Sequence, residues 1–306
     1  MVTISIRRTP AIRGRWYSER RTVMSIDRVG RSVFDYHVHS EYSIDCRIPM
    51  RDSCAAAVAA GVTEIAFTDH VDHVPVDLGY GYWNADRYFR SLDACRAEFA
   101  GELTVLSGAE VDFNFLTINA VERFVTDHAF DFVIGSVHYT PQGELIFPDS
   151  FTGKSFDDIF LPYLEQIDAA VETGWFDTIG HLDLPKRYAP ATHRDYDPRR
   201  YRDRFDAIFA RMIRGGRTTF EINTSGIRQT PKTSMPGPAI VRWYVEAGGS
   251  YLTTGSDSHA TQTIGSGIAR TLDMLTLCGI EEIASFRGRN RALVPVTALR
   301  SLVPTS

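Results

Sequence analysis

Apolar, β-branched runs recur along the chain: SVFDYHVH (32–39), EIAFTDH (64–70), LTVLSGAE (103–110), FDFVIGSVH (130–138), FDTIGHLD (176–183), TTFEIN (218–223) and YLTTGSD (251–257). Between them the apolar positions switch to helical spacing. Tyr88, Leu92, Cys95 and Phe99 follow a candidate cap at Asn84, and Phe156, Ile159, Phe160, Tyr163, Leu164, Ile167, Ala170 and Val171 follow Ser155, with Asp158 completing an S-x-x-D capping box. Pro162 falls inside the second pattern and predicts a kink or a later helix start, while Gly61 and Gly174 stand where helices should end. Strand alternating with helix is the pattern of a parallel sheet. An eighth, looser run, ALVPVTAL, closes the chain. No internal repeat, low-complexity tract or linker follows residue 32, so one domain is expected over residues 32–306.

The polar endings of these runs carry the chemistry. His37 and His39 end the first, His70 the second, Glu110 the third, His138 the fourth, His181 the fifth, and Asp257 with His259 the seventh. In a strand, residues i and i+2 share a face, so His37 and His39 should project together, with Asp45 six residues further on. In a (β/α) barrel the C-terminal strand ends converge on one mouth. A lone polar residue at a strand end is most often a cap or a satisfied core group, but one metal-binding side chain after nearly every strand is a joint pattern that such roles do not produce. His128 and His193 end no strand and read as surface residues. His73 reads as a residue near the mouth with no metal role.

Composition narrows the class. A hydrophobic fraction of 43% with 23% charged residues is that of a globular protein, and no stretch is apolar for long enough to span a bilayer. Four cysteines without Cys-x-x-Cys spacing, and no secretory signal ahead of the body, fit a reducing cytoplasm. Residues 1–31 hold eight arginines against Glu19 and Asp27, a net of +6, so the remaining chain carries −5 − 6 = −11. An acidic body argues against a nucleic-acid surface, and the basic leader is expected to be a poorly ordered extension, with Met24 as an alternative start.

Taken together, HVHSEYSID, FTDH, GAE, GSVH, GHLD, EINTSGIR and GSDSH resemble the polymerase and histidinol phosphatase (PHP) family, and more narrowly its histidinol-phosphate phosphatase branch, over about residues 33–270. The resemblance implies a distorted (β/α)7 TIM-like barrel, in keeping with the seven runs, and a site for three divalent metal ions: Zn, Mn or Fe. On that scheme His37, His39, Glu110 and Asp257 bind one metal. Glu110 bridges to a second held by His138 and His181, and Asp45, His70 and His259 bind the third. Asp45 stands where other family members have histidine, a change between two donors that suit the same metals. Metal ions held a few ångströms apart activate a bridging water as hydroxide and stabilise the attacking and leaving oxygens of a phosphoryl group. Asp69 and Asp183, beside ligand histidines, are candidates either to fix imidazole tautomers or to cap helices.

A phosphate also needs cationic donors. DLPKRY places Lys186 and Arg187 beyond the fifth strand and NTSGIR places Arg228 beyond the sixth; in the resembling phosphatases these segments supply phosphate-binding arginines, so Arg187 and Arg228 are the choices, with Lys186 as substitute. The expectation is a metal-dependent phosphomonoesterase of histidine biosynthesis acting on L-histidinol phosphate. The alternative is a PHP-type phosphatase or phosphodiesterase acting on another small phosphorylated metabolite or nucleotide. A proofreading exonuclease is disfavoured by the acidic body, and an amidohydrolase with a carboxylated lysine by the absence of any lysine at a strand end. Neither a nucleic-acid nor a membrane partner is expected, and homo-oligomerisation stays open.

Overall fold

The computed structural model describes residues 33–190 and 196–300. The expectation for the leader, and the one for His193, lie outside these residues. Seven parallel strand positions form the barrel wall: β1 (Phe34–Val38), β2 (Glu64–Phe67), β4 (Thr104–Asp112), β5 (Phe132–Ser136), β6 (Thr178–Ile179), β7 (Thr219–Asn223) and β8 (Tyr251–Gly255), paired in that order. A short β3 (His70–Val71) continues β2 and pairs with the outer half of β4. Closure falls between β8 and β1, where Val38 bridges Ser258 and the His39 amide donates to the Ser258 carbonyl at 2.9 Å. All seven runs become strands, but the fifth keeps only two residues, with the Gly180 amide still bonded to the Gly135 carbonyl at 3.0 Å just before His181.

The helices follow their caps. Helix α2 (Ala85–Glu98) starts where Asn84 accepts the Arg87 amide at 3.0 Å, and α4 (Phe156–Thr173) starts on the Ser155/Asp158 capping box and stops at Gly174, whose φ of 66° suits glycine. Pro162 delays nothing: α4 begins at Phe156 and runs through it, its inner face buried by Ile159, Phe160 and Tyr163. Burying side chains of that size is worth about 1.5–3 kcal/mol each, enough to offset one lost backbone bond. Among the described residues no helix is long and apolar enough to cross a membrane.

The chain's last stretch departs from its pattern. A strand that the sequence reading missed, β9 (Glu282–Arg287), runs parallel to the start of β8, and the loose final run supplies β10 (Asn290–Pro295), antiparallel to β9, before a last helical turn. This hairpin crosses the N-terminal end of the barrel. Phe286 packs on Phe132 with ring centroids 5.1 Å apart, Phe132 lies 5.0 Å from Tyr36, and the Phe286 amide donates to the Tyr36 hydroxyl at 3.0 Å. The hairpin thereby plugs one end of the barrel, and a cleft opens at the other.

Candidate metal and phosphate site

The open end gathers every residue that the strand-end pattern singled out. Pairing of β3 with β4 places His70 opposite Glu110, and Glu110, only 1% exposed, becomes the centre of the cluster. One carboxylate oxygen, Oε2, lies 3.2 Å from His37 Nε2, 3.6 Å from His39 Nε2 and 3.0 Å from His70 Nδ1. The other, Oε1, lies 3.4 Å from His138 Nε2 and 2.9 Å from His181 Nε2. Asp257 Oδ1 approaches His39 at 3.4 Å and His37 at 3.9 Å, while Asp45 Oδ2 lies 2.9 Å from His259 Nε2 and 3.5 Å from His70 Nε2.

Four compact donor groups result: His37/His39/Asp257, Glu110/His138/His181, Asp45/His70/His259 with His39 beside them, and His70/Asp72/His138, which shares its two imidazoles with the others. Donor chemistry fits divalent metals. His37 Nε2, His39 Nε2, His70 Nδ1, His259 Nε2 and Glu110 Oε2 are buried without a hydrogen-bond partner in the protein, an arrangement that costs free energy unless something else occupies the shared space. Imidazole nitrogen with carboxylate oxygen is the donor set of Zn, Mn and Fe.

Electrostatics point the same way. Against the pull of burial, the Glu221, Glu110 and Asp257 carboxylates hold the His37 imidazolium well above its ordinary pKa. Burial likewise opposes, but Glu110 and Asp45 raise, His70, and Glu110 and Asp112 carry His138 up to about 10. Burial with His259 and His70 pushes His39 down to about 3, so that ring stays neutral. Glu110 and Asp257, despite their burial, are held well below the usual carboxylate range by the surrounding histidines and, for Asp257, by Arg187. Excess anionic charge is drawing protons into a space where metal cations would replace them.

The residues that orient the rings escaped the sequence reading. Glu221, inside the sixth run, faces the barrel and accepts from His37 Nδ1 at 2.7 Å through Oε1, while its Oε2 accepts the His181 amide at 3.1 Å. Asp112 Oδ1 accepts the His138 amide at 2.9 Å and lies 3.5 Å from that ring's Nδ1. Ser43 Oγ is 2.8 Å from His39 Nδ1 and accepts the His70 amide at 2.8 Å. Gly255 lets β8 come this close: a Cβ there would overlap both the His37 Cβ and Glu221 Oε1. Asp257 adopts φ 52°, a left-handed conformation rare outside glycine and tolerated by aspartate, which brings its carboxylate back over the site.

Asp69 and Asp183 play neither tautomer role. Asp69 accepts the Ser40 amide at 2.6 Å and so braces the loop after β1; Asp183 binds Lys186 Nζ at 2.7 Å. Lys186 therefore does not join the mouth. Its ammonium is held by Asp183 and the Ser234 carbonyl on the far side of α5 (Pro185–Tyr188), because adjacent residues on a helix point about 100° apart. Arg187, its neighbour, reaches Asp257 Oδ2 at 3.3 Å. Arg228, at the end of α7 (Ser225–Arg228), donates through one terminal nitrogen to the Ser256 and Asp257 carbonyls at 2.7 and 2.9 Å, leaving the other buried and unpartnered. Both arginines line one cleft of about 710 Å³ together with Glu110, His138, His181 and Asp257. His128 is half-buried rather than fully exposed, one face joining Trp83, Phe124 and Phe130 in an aromatic cluster, and His73 packs on Phe124.

A parallel barrel with clustered histidines, carboxylates and two arginines at its C-terminal mouth defines a metal-dependent hydrolase for phosphate esters. Residues 35–225 match the PHP domain, and the chain belongs to that family. Over 240 residues it is 30% identical to a probable histidinol-phosphatase of Deinococcus radiodurans, covering 76% of this chain and 88% of the relative. It is 28% identical over 258 residues to the histidinol-phosphatase of Lactococcus lactis, covering 83% and 94%. The solved histidinol phosphate phosphatase of Lactococcus lactis, complexed with zinc, L-histidinol and phosphate, superposes with a TM-score of 0.77 at 25% identity, covering 85% of this chain and 98% of that one. Asp257, His259 and Arg228 lie beyond the matched PHP domain segment, and the barrel's closure brings them back to it.

Proposed function

We propose that this protein is a metal-dependent phosphomonoesterase that hydrolyses L-histidinol phosphate to L-histidinol and phosphate. The observation that carries the reading is Glu110, whose two oxygens face separate histidine groups within one cleft that Arg187 and Arg228 also line. In this reading His37, His39, Glu110 and Asp257 hold one metal, Glu110, His138 and His181 a second, and Asp45, His70 and His259 a third. Metal ions, when bound, supply Lewis acidity and an activated water for attack at phosphorus. Arg228 offers its free N–H groups, and Arg187 its guanidinium, to the phosphoryl oxygens, which fixes the ester for in-line attack and balances charge that grows in the transition state. Glu221, Asp112 and Ser43 keep His37, His138 and His39 in the tautomers that leave their inward nitrogens free. The name and bound molecules of the Lactococcus lactis structure support histidinol phosphate as the substrate.

Phosphate release from the purified, metal-loaded protein across a panel of phosphomonoesters tests this. Histidinol phosphate should give the highest kcat/KM, and a sugar or nucleoside monophosphate turned over faster would replace it as the substrate.

A further inference from the structure

The cleft is charged oppositely on its two sides. Arg187 and Arg228 stand on the side built after β6 and β7; Asp72 and Asp77 stand on the side built after β3. Asp72 is 7% exposed and lines the cleft; it accepts no hydrogen bond from the described residues, and its neighbours of opposite charge are the His70 and His138 imidazoles. Asp77 lies in the same loop, one oxygen accepting the Gly79 amide at 2.5 Å. The two carboxylates converge: a Cβ on Gly79 would overlap oxygens of both, so the loop can fold over them only with glycine there. Two converging carboxylates, one of them buried without a hydrogen bond and facing imidazoles that are neutral once they ligate metal, suit a cation on the substrate. Aromatic walls stand nearby, with Tyr139 beside Asp77 and Phe147 stacked on Tyr188 at 4.9 Å.

We propose that Asp72, aided by Asp77, binds an ammonium group on the substrate, and that the site selects phosphomonoesters of amino alcohols over their deaminated equivalents. Resting on the function proposed above, this assigns the amine of histidinol phosphate to Asp72 and leaves the imidazole to the aromatic walls. The amine stands a short way from the ester oxygen, which suits a carboxylate that lies beside His70 and His138 rather than at the outer lip.

The test compares kcat/KM for histidinol phosphate with that for its deamino analogue, imidazolylpropyl phosphate, in the metal-loaded wild type, Asp72→Asn and Asp77→Asn. A charge-assisted hydrogen bond predicts a wild-type preference for the amine of about tenfold to a hundredfold. Asp72→Asn should remove most of that preference and Asp77→Asn a smaller part. Both rates falling together at a constant ratio in both variants would reduce the carboxylates to structural parts and overturn the proposal. So would metal loss from Asp72→Asn by elemental analysis, which would make Asp72 a metal ligand. If neither imidazole ester is hydrolysed, the histidinol reading fails by itself, and the same ratio for 2-aminoethyl against ethyl phosphate decides the amine site. A wild-type ratio near one there overturns it.

Discussion

The two ends of this barrel treat buried charge in opposite ways. At the N-terminal end every carboxylate of the core network has protein partners: Glu64 binds Arg287 and the Tyr36 hydroxyl, Asp131 accepts from Arg96, Ser107 and the Gly288 amide, and Asp177 binds Arg289, Arg217 and the Val133 amide. At the C-terminal end Glu110 Oε2 and Asp257 Oδ1 meet the Nε2 atoms of His37 and His39, which have no hydrogen-bond partner among the described residues. A satisfied network fixes one structure; an unsatisfied one costs stability and persists where a ligand completes it. The same strands thus run from a plug to a reaction site. β1 alone carries Tyr36 to the aromatic plug and His37 to Glu110.

The largest effect should come from the centre of the unsatisfied end. Glu110→Gln keeps the side chain's shape but turns one oxygen into an amide donor facing His138 and His181 or His37 and His70. It should lower kcat/KM by more than about 100-fold, the upper end of what changing an outer partner of a metal ligand costs, and should remove more metal than His138→Ala. Elemental analysis and steady-state kinetics on the two variants decide this. Equal metal loss in both would end the case for a bridging role.

At the plugged end the effect should fall on stability alone. Glu64 is buried, but Arg287 is 43% exposed, so Glu64→Gln should cost about 2 kcal/mol, below the 3–5 kcal/mol of breaking a fully buried pair. Thermal melts would show a drop of a few degrees, with kcat/KM for the best phosphomonoester unchanged. A fall in kcat/KM at full folding would mean that the plug and the mouth are coupled.

The contrast also marks how far the sequence could be read. Strand-end chemistry was legible because eight of the nine donors, all but Asp45, sit where an apolar run stops, and these positions converge once the strands are parallel. Glu221 was hidden inside TTFEIN, where a single charge in a strand does not announce which face it takes. Lys186 and Arg187 are neighbours in sequence, and only the turn of α5 separates the residue bound to Asp183 from the one beside Asp257. β9 went unread because its role as a plug depends on partners far along the chain, Tyr36, Glu64 and Asp131, which no local pattern encodes.

The smallest expected effect, and the one that separates the two ends most sharply, is a dependence on pH. In the metal-free fold His37 and His70 stand well above their ordinary pKa and His138 at about 10, whereas an unfolded histidine titrates near 6.5. Groups raised on folding stabilise the fold fully below about pH 6.5, and that contribution is lost as pH rises towards 10. Metal binding runs the other way. Its ligands must be neutral imidazoles, so each proton displaced makes the apparent affinity rise with pH, by up to about tenfold per unit. The Tm gap between metal-loaded and chelator-stripped protein should therefore widen from pH 6.5 to 9, by loss in the stripped form and gain in the loaded one. Glu64→Gln should lower both curves without changing that widening, since it lies at the opposite end of the barrel from these histidines. A gap that stays constant or narrows as pH rises would mean that the histidines at the mouth are already neutral without metal, and that the proton-filled cluster inferred from Glu110 and its neighbours does not form.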